Sequence, residues 1–334
     1  MCRMQHRADP TPGETSADTV TRADVEAAAA RIAGHVRRTP LWRVDGATFG
    51  LPGVALLLKL EHLQASGSFK ARGMFNRLLA QRPLPDAGVI VASGGNAAIA
   101  VATAARALGV RCEVFVPEIA SPAKLAALAA LDARVVVGGA AYADALAACV
   151  ARQRETGALV CHAYDQAEVV AGAGTLALEI EADTRDDARS PDRVLVSVGG
   201  GGLIAGIAAA FEGRARVVAL ESTGTPTLHA ALAAGEPVDV AVSGIAADAL
   251  GARRIGRIAW DVCRRHVADA VLLDDAAIAA AQRALWRELR LVVEPSAALG
   301  LAALMTGAVR PAPGERVALV LCGANCDPAA LAGG

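Results

Sequence analysis

Short apolar runs rich in β-branched residues recur along the chain, each set beside an Ala-rich segment of helical length, and this alternation constrains the fold more than any other feature. The runs occupy residues 88–92, 112–116, 134–137, 193–198, 216–220 and 317–321. Strands that are apolar at successive positions suit burial on both faces, as in parallel sheets covered by helices. The pattern predicts an α/β fold. Helices are expected over 25–36, with Asp24 as N-cap, and over 96–108, 123–131 and 142–155, while 54–60 reads as a further strand. The units fall into two groups, about 74–160 and from about 167 onwards, without a Pro/Ser-rich linker between them. The expected organisation is two lobes pressed together, a small one over 76–162 inserted into a large one made of 1–75 and 163–334.

With 334 residues, 54% of them apolar, the chain can bury a large core, which excludes disorder for its bulk. A net charge of −1 with no basic block offers nothing to a phosphate backbone or an anionic membrane, so nucleic acid and membrane are not expected partners. The longest uncharged stretch, 194–211, is broken by Gly199, Gly200, Gly201 and Gly202, a turn and not a helix interior, and the protein reads as soluble. Residues 1–20 lack the apolar core of a secretory signal and read as a frayed lead-in. Seven cysteines at irregular spacing form neither a disulfide framework nor a CxxC pair, which points to a reducing compartment and a cytoplasmic location. Of the 33 basic residues, all but Lys59, Lys70 and Lys124 are Arg.

Four segments could carry chemistry. Ser66-Gly67-Ser68-Phe69-Lys70 places a lysine at a turn opening a helix, and lysine, unlike arginine, can lose its proton and act as an amine nucleophile. Its bland alternative is a solvated surface lysine. Ser93-Gly94-Gly95-Asn96-Ala97 follows a strand and precedes a helix, where backbone N–H groups favour an anion; it could equally be a plain connection with Ser93 or Asn96 as N-cap. The four glycines form a phosphate cradle by the same argument, or part of a dinucleotide fingerprint with Gly206 and Glu221, which would make a nicotinamide-dependent dehydrogenase. Against the latter, the last glycine falls one residue late. Cys322, Cys326 and Asp327 end the last strand, but without a nearby His or a second Cys pair they make a poor metal site, and no metal is expected.

Taken in order, Gly-Ser-Phe-Lys-x-Arg-Gly, Ser-Gly-Gly-Asn, four glycines, Glu294-Pro295-Ser296 and Cys-Gly-x-Asn resemble the fold type II pyridoxal-phosphate (PLP) enzymes, nearest the serine/threonine dehydratases, also called ammonia-lyases. The resemblance covers about residues 25–327 and implies a two-lobed fold like the β subunit of tryptophan synthase. It implies that Lys70 holds the cofactor covalently and takes the Cα proton, that Phe69 lies against the pyridine ring and Asn96 bonds the ring hydroxyl. Gly199, Gly200, Gly201 and Gly202 would cradle the phosphate, and Cys322 would face the ring nitrogen. Ser66, with Ser93, Gly94, Asn96 and Ala97, would grip the substrate carboxylate. The implied reaction is β-elimination from L-serine or L-threonine to a 2-oxo acid and ammonia; the alternative within the fold is a β-replacement synthase resembling cysteine or threonine synthase.

Several departures bear on the resemblance. Gly94 stands where serine racemases carry a second serine base, which disfavours racemisation. Thr227 stands where relatives pair an Asp with a Glu like Glu221 around a divalent cation; a monovalent cation held by carbonyls is left open. Ala65 and Ser66 replace a common Pro-Thr pair. With few residues after Asp327, the regulatory domain of some biosynthetic threonine dehydratases is not expected. A homodimer is implied. Glu294 is a modest site candidate, the scattered histidines read as surface or satisfied groups, and Trp42, Trp260 and Trp286 read as packing residues.

Overall fold

The computed structural model describes residues 19–118, 122–140, 142–185 and 190–331, so the lead-in over 1–18, with Cys2, lies outside the described residues. Among the described residues, ten strands are arranged in two sheets: β1 (Leu41–Asp45), β2 (Ala55–Lys59), β3 (Val89–Ala92), β4 (Cys112–Val116), β5 (Arg134–Val137), β6 (Leu159–Val160), β7 (Arg193–Ser197), β8 (Arg216–Ser222), β9 (Val267–Leu273) and β10 (Arg316–Val320). The larger sheet has the order β1-β2-β10-β7-β8-β9 and the smaller β5-β4-β3-β6. Every pairing is parallel except β1 with β2. The α/β reading therefore holds, with α-helices between successive strands except the antiparallel pair β1 and β2, which a 3-10 turn at Gly46–Phe49 joins.

The central strands β2, β7, β8 and β10 are buried over nearly their whole length, which is why they read as unbroken apolar runs. The strands that escaped the sequence reading lack that signal. β1 and β9 are the edges of the large sheet, with mixed exposure along their length, and β6 has only two residues. The first helix also differs from expectation: it spans Arg22–Ile32, and Thr21 caps it, with Asp24 three residues on completing a capping box. Helices at Asn96–Ala107, Pro122–Ala129 and Tyr142–Thr156 lie close to their expected bounds.

The helix Gly202–Phe211 is buried at every residue, sealed between the large sheet and the helix Ala167–Asp183. Gly206 makes this possible. A Cβ there would stand 2.3 Å from the Val170 carbonyl oxygen and 2.5 Å from Gly174 N, so the two helix backbones touch. Two of the tryptophans are less enclosed than expected, Trp42 and Trp286 each being 40% exposed. Trp286 instead carries the Arg290 guanidinium 5.7 Å from its ring centre.

Candidate active site

Three adjacent parallel strands, β2, β10 and β7, end at the same edge of the large sheet, and the loops leaving them build one cavity. This is the edge at which open α/β sheets bind ligands. β2 leads to the lysine loop, β10 to Cys322 and β7 to the glycine turn. The lysine loop is stitched to the terminal turn by main-chain bonds. Phe69 N–H donates to the Cys322 carbonyl at 2.9 Å and Ala324 N–H to the Gly67 carbonyl at 2.9 Å. Gly67 has φ +71, and a Cβ on it would strike the Asn325 side chain at 2.4 Å, so the turn needs glycine for both reasons.

Lys70 is the first residue of the helix Lys70–Ala80 and lines the cavity with Phe69, whose ring centre is 5.1 Å from its amine. Its Nζ donates to the Ala163 carbonyl at 2.6 Å. Loss of hydration lowers its pKa to about 8, with Cys322 and Glu294 opposing the fall. The amine therefore gives up its proton far more readily than an ordinary lysine, and is half deprotonated near pH 8. Burial pushes the Cys322 thiol up to about 12, Glu294 adding to the effect, so the thiol stays protonated and uncharged.

The glycine turn has no space for side chains. A Cβ on Gly200 would lie 2.2 Å from Tyr164 Cγ, one on Gly199 2.9 Å from Leu250 Cα, and one on Gly202 2.8 Å from the Tyr164 carbonyl oxygen. Gly201, with φ +87, precedes the helix Gly202–Phe211 directly. The carbonyls of Gly199 and Gly200 are turned to protein partners, the Thr227 hydroxyl at 2.5 Å and Gly256 N–H at 3.0 Å. What the turn offers is bare backbone at a helix N-terminus, whose first N–H groups lack intrahelical partners.

Asn96 reaches the cavity from the other sheet, as the first residue of the helix following β3. That helix is capped by Gly95 without a side-chain bond, so neither Ser93 nor Asn96 is its N-cap. The cavity thus gathers Phe69, Lys70, Asn96, the four glycines and Cys322. The remaining substrate candidates, Ser66, Ser93, Gly94 and Ala97, are not among the residues that line it. Ser66 donates to the Ser68 carbonyl at 3.2 Å, Ser93 Oγ accepts from Gly95 N–H at 3.3 Å, and Ala97 is buried. Sequence reasoning missed Tyr164 and Asn325. Tyr164 sits on the connection between β6 and the helix Ala167–Asp183, with no local motif to announce it, whereas Asn325 is the last residue of the Cys-Gly-x-Asn motif and could have been weighed from it.

Glu221 does not face the cavity. It is fully buried and accepts from Leu228 and His229 N–H, both at 2.7 Å, closing the N-terminus of the helix Thr227–Ala234. With Gly206 engaged in helix packing as well, both extra members of the dinucleotide fingerprint have structural duties.

An aldehyde cofactor with a phosphate and an aromatic ring suits these residues: an easily deprotonated amine to capture it, a side-chain-free turn for the phosphate, the Phe69 ring and an uncharged thiol. Fold and cavity together define a PLP-binding α/β enzyme. The family described as pyridoxal-phosphate dependent enzyme matches residues 32–323. A Ralstonia pickettii protein named phenylserine dehydratase is 37% identical over 331 residues, 95% of this chain and 98% of that one. An L-threonine ammonia-lyase of Geobacter sulfurreducens is 38% identical over 301 residues, 89% of this chain and 73% of the relative. Among solved structures, a T.th. threonine deaminase matches with a TM-score of 0.85 at 36% identity, covering 92% of this chain and 99% of that one. The chain belongs to the PLP-dependent enzyme family, as a fold type II lyase of the serine/threonine dehydratase group.

Proposed function

We propose that the protein removes the β-hydroxyl group of L-serine or L-threonine, releasing a 2-oxo acid and ammonia, and that the residues gathered at the cavity do so in the roles their chemistry suits. Bound PLP supplies an electron sink that acidifies the Cα–H bond of the amino acid. Lys70 would hold the cofactor through its amine and would serve as the base for the Cα proton, a role that needs an amine able to be neutral near pH 8. The glycine turn would bind the phosphate, Phe69 would pack on the ring and Asn96 would bond the ring hydroxyl. Cys322, uncharged, would face the ring nitrogen without providing the negative charge that would hold it protonated. This weaker sink suits elimination, where a leaving group departs promptly. Ser66 and the loop of Ser93, Gly94, Asn96 and Ala97 bind the substrate carboxylate. The observation that carries the reading is a lysine amine that, among the described residues, bonds only a carbonyl, beside a bare glycine turn.

One observation supports a wider substrate screen. A Cβ on Gly94 would meet only Val116 Cγ1, at 3.9 Å, so the substrate loop has space beside it, and phenylserine, named in one relative, belongs in the test. A screen of L-serine, L-threonine, phenylserine, O-acetylserine and phosphohomoserine separates elimination from β-replacement. A lyase yields oxo acid without a second nucleophile; activity only with an added nucleophile would make the protein a synthase. Purified protein that neither carries nor takes up PLP would end both readings. The proposal extends to a monovalent cation bound by carbonyls, tested by exchanging potassium for a bulky ammonium ion. It also includes a cytoplasmic homodimer, tested by sedimentation and cell fractionation, and an inserted lobe over 76–162, for which the sheet of β3 to β6 speaks and which limited proteolysis would probe.

A further inference from the structure

Four distant segments meet at one buried carboxylate. Glu294, 4% exposed, lies at the cavity wall just before the helix Pro295–Met305. Asn96 Nδ2 stands 2.9 Å from both of its oxygens. Its Oε1 also accepts from Asn325 N–H at 2.8 Å, and its Oε2 from the Ser296 hydroxyl at 3.1 Å. On the other side, Asn96 Oδ1 accepts from Asn325 Nδ2 at 2.7 Å, and the same Nδ2 donates to the Ser66 carbonyl at 2.9 Å. Gly323 is part of the arrangement, since a Cβ there would stand 2.9 Å from Glu294 Oε1. The lysine loop, the Asn96 turn, the Glu-Pro-Ser segment and the terminal turn are thus joined through side chains that sequence analysis left separate.

An asparagine amide has an acceptor face and a donor face that a half-turn exchanges. Here the exchange is blocked. Turning the Asn96 amide over would set its oxygen against two carboxylate oxygens and its nitrogen against the Asn325 amide nitrogen, whose own orientation is held by the Ser66 carbonyl. Two equal distances to the carboxylate oxygens are those of one N–H shared between them, which leaves the second N–H unspent.

We infer that Glu294 is a positioning residue that holds the Asn96 amide in a single orientation, so that Asn96 offers the cofactor's ring oxygen a donor and never its carbonyl. This rests on the reading of Asn96 as the ring-hydroxyl contact. A donor there favours the ionised ring oxygen, and an acceptor would favour the protonated one. Glu294 does its work at one remove, and its charge also faces Lys70 and Cys322, so the experiment must separate the two routes.

A double-mutant cycle on the PLP dissociation constant, read by absorbance without substrate, does so. Asn96→Ala and Glu294→Gln should each weaken binding about 10-fold, and each should raise the pH at which the bound cofactor's visible band changes by about one unit. Together they should weaken binding no more than Asn96→Ala alone, within about twofold, because Glu294 acts through Asn96. A Glu294→Gln loss that persists undiminished in the Asn96→Ala background would mean that the carboxylate acts through its charge on Lys70, and would overturn the inference. Unchanged affinity and absorbance in Glu294→Gln would overturn it too. If Asn96→Ala changes neither, the reading of Asn96 itself fails and the inference falls with it. Should Glu294→Gln fail to fold, Asn96→Asp serves: its acceptor oxygens face Glu294, so it should lose more affinity than Asn96→Ala, and equal losses would refute the lock.

Discussion

Lys59 and Lys70 stand at the two ends of one short segment, the first closing β2 and the second opening the next helix, and both are withdrawn from water. Their partners differ. Lys59, fully buried, donates to the Glu179 carboxylate at 2.5 Å and to the Thr39 carbonyl at 2.7 Å. It belongs to a closed ionic cluster in which Arg72, on the Lys70 helix, bonds Glu61 at 2.8 Å and Glu179 at 2.7 Å, two cations against two anions. Although burial pushes the Glu179 carboxyl up, Arg72 and Lys59 more than offset it and hold that carboxyl below its ordinary value. Lys70 has a carbonyl where Lys59 has a carboxylate. Burial draws both amines down, yet only at Lys70 is there no carboxylate in hydrogen-bond contact to hold the proton. One lysine joins strand, turn and helix; the other is left available for chemistry.

Removing each amine should separate the two roles. Lys70→Ala should lower turnover by about a thousandfold or more and abolish the borohydride-fixed cofactor adduct, while the urea midpoint stays near wild type. A large loss of stability in that variant would place Lys70 with the ionic cluster. Conversely, Lys59→Met leaves Glu179 short of a partner and should cost about 3 kcal/mol in denaturant titration, with turnover per folded molecule nearly retained. Stability unchanged by that substitution would show the cluster to be dispensable.

Smaller effects test the surroundings of Lys70. Gly200→Ala drives a methyl group into the Tyr164 ring and should weaken PLP binding about 10-fold, measured by equilibrium dialysis; binding equal to wild type would deny the turn its role. Capture of PLP by the cofactor-free enzyme should accelerate as pH rises towards about 8 and level off above it, as the amine loses its proton. The same shift makes the cofactor-free fold more stable as pH climbs from about 8 to the ordinary lysine value of 10.5, because over that window the unfolded chain binds the proton that the native chain has released. A capture profile still rising at 10.5 would show an amine unaffected by burial.

Much of this was legible in the sequence because it is local. Buried strands announce themselves as apolar runs, and the lysine loop and glycine turn carry residue types that few other duties require. The edge strands β1 and β9 were not legible, since half-exposed strands mix polar and apolar residues. Nor was the ionic cluster: Thr39, Lys59, Glu61, Arg72 and Glu179 are ordinary residues until packing of the strand, the turn and two helices brings them together. Glu294 was legible as a candidate, its tie to Asn96 was not, because the two are 198 positions apart. Glu221 misled for the opposite reason, since an acid at the end of a strand fits a ribose contact by position and the structure shows it capping a helix.

The most direct test of the contrast between the two lysines is 2-oxo acid release from L-serine and L-threonine by wild type, Lys59→Arg and Lys70→Arg, each loaded with PLP. Arginine keeps the charge and surrenders the removable proton. Wild type and Lys59→Arg should form oxo acid from at least one of the two substrates, and Lys70→Arg from neither. Oxo acid formed by Lys70→Arg at the wild-type rate, or none formed by PLP-loaded wild type, would contradict the account.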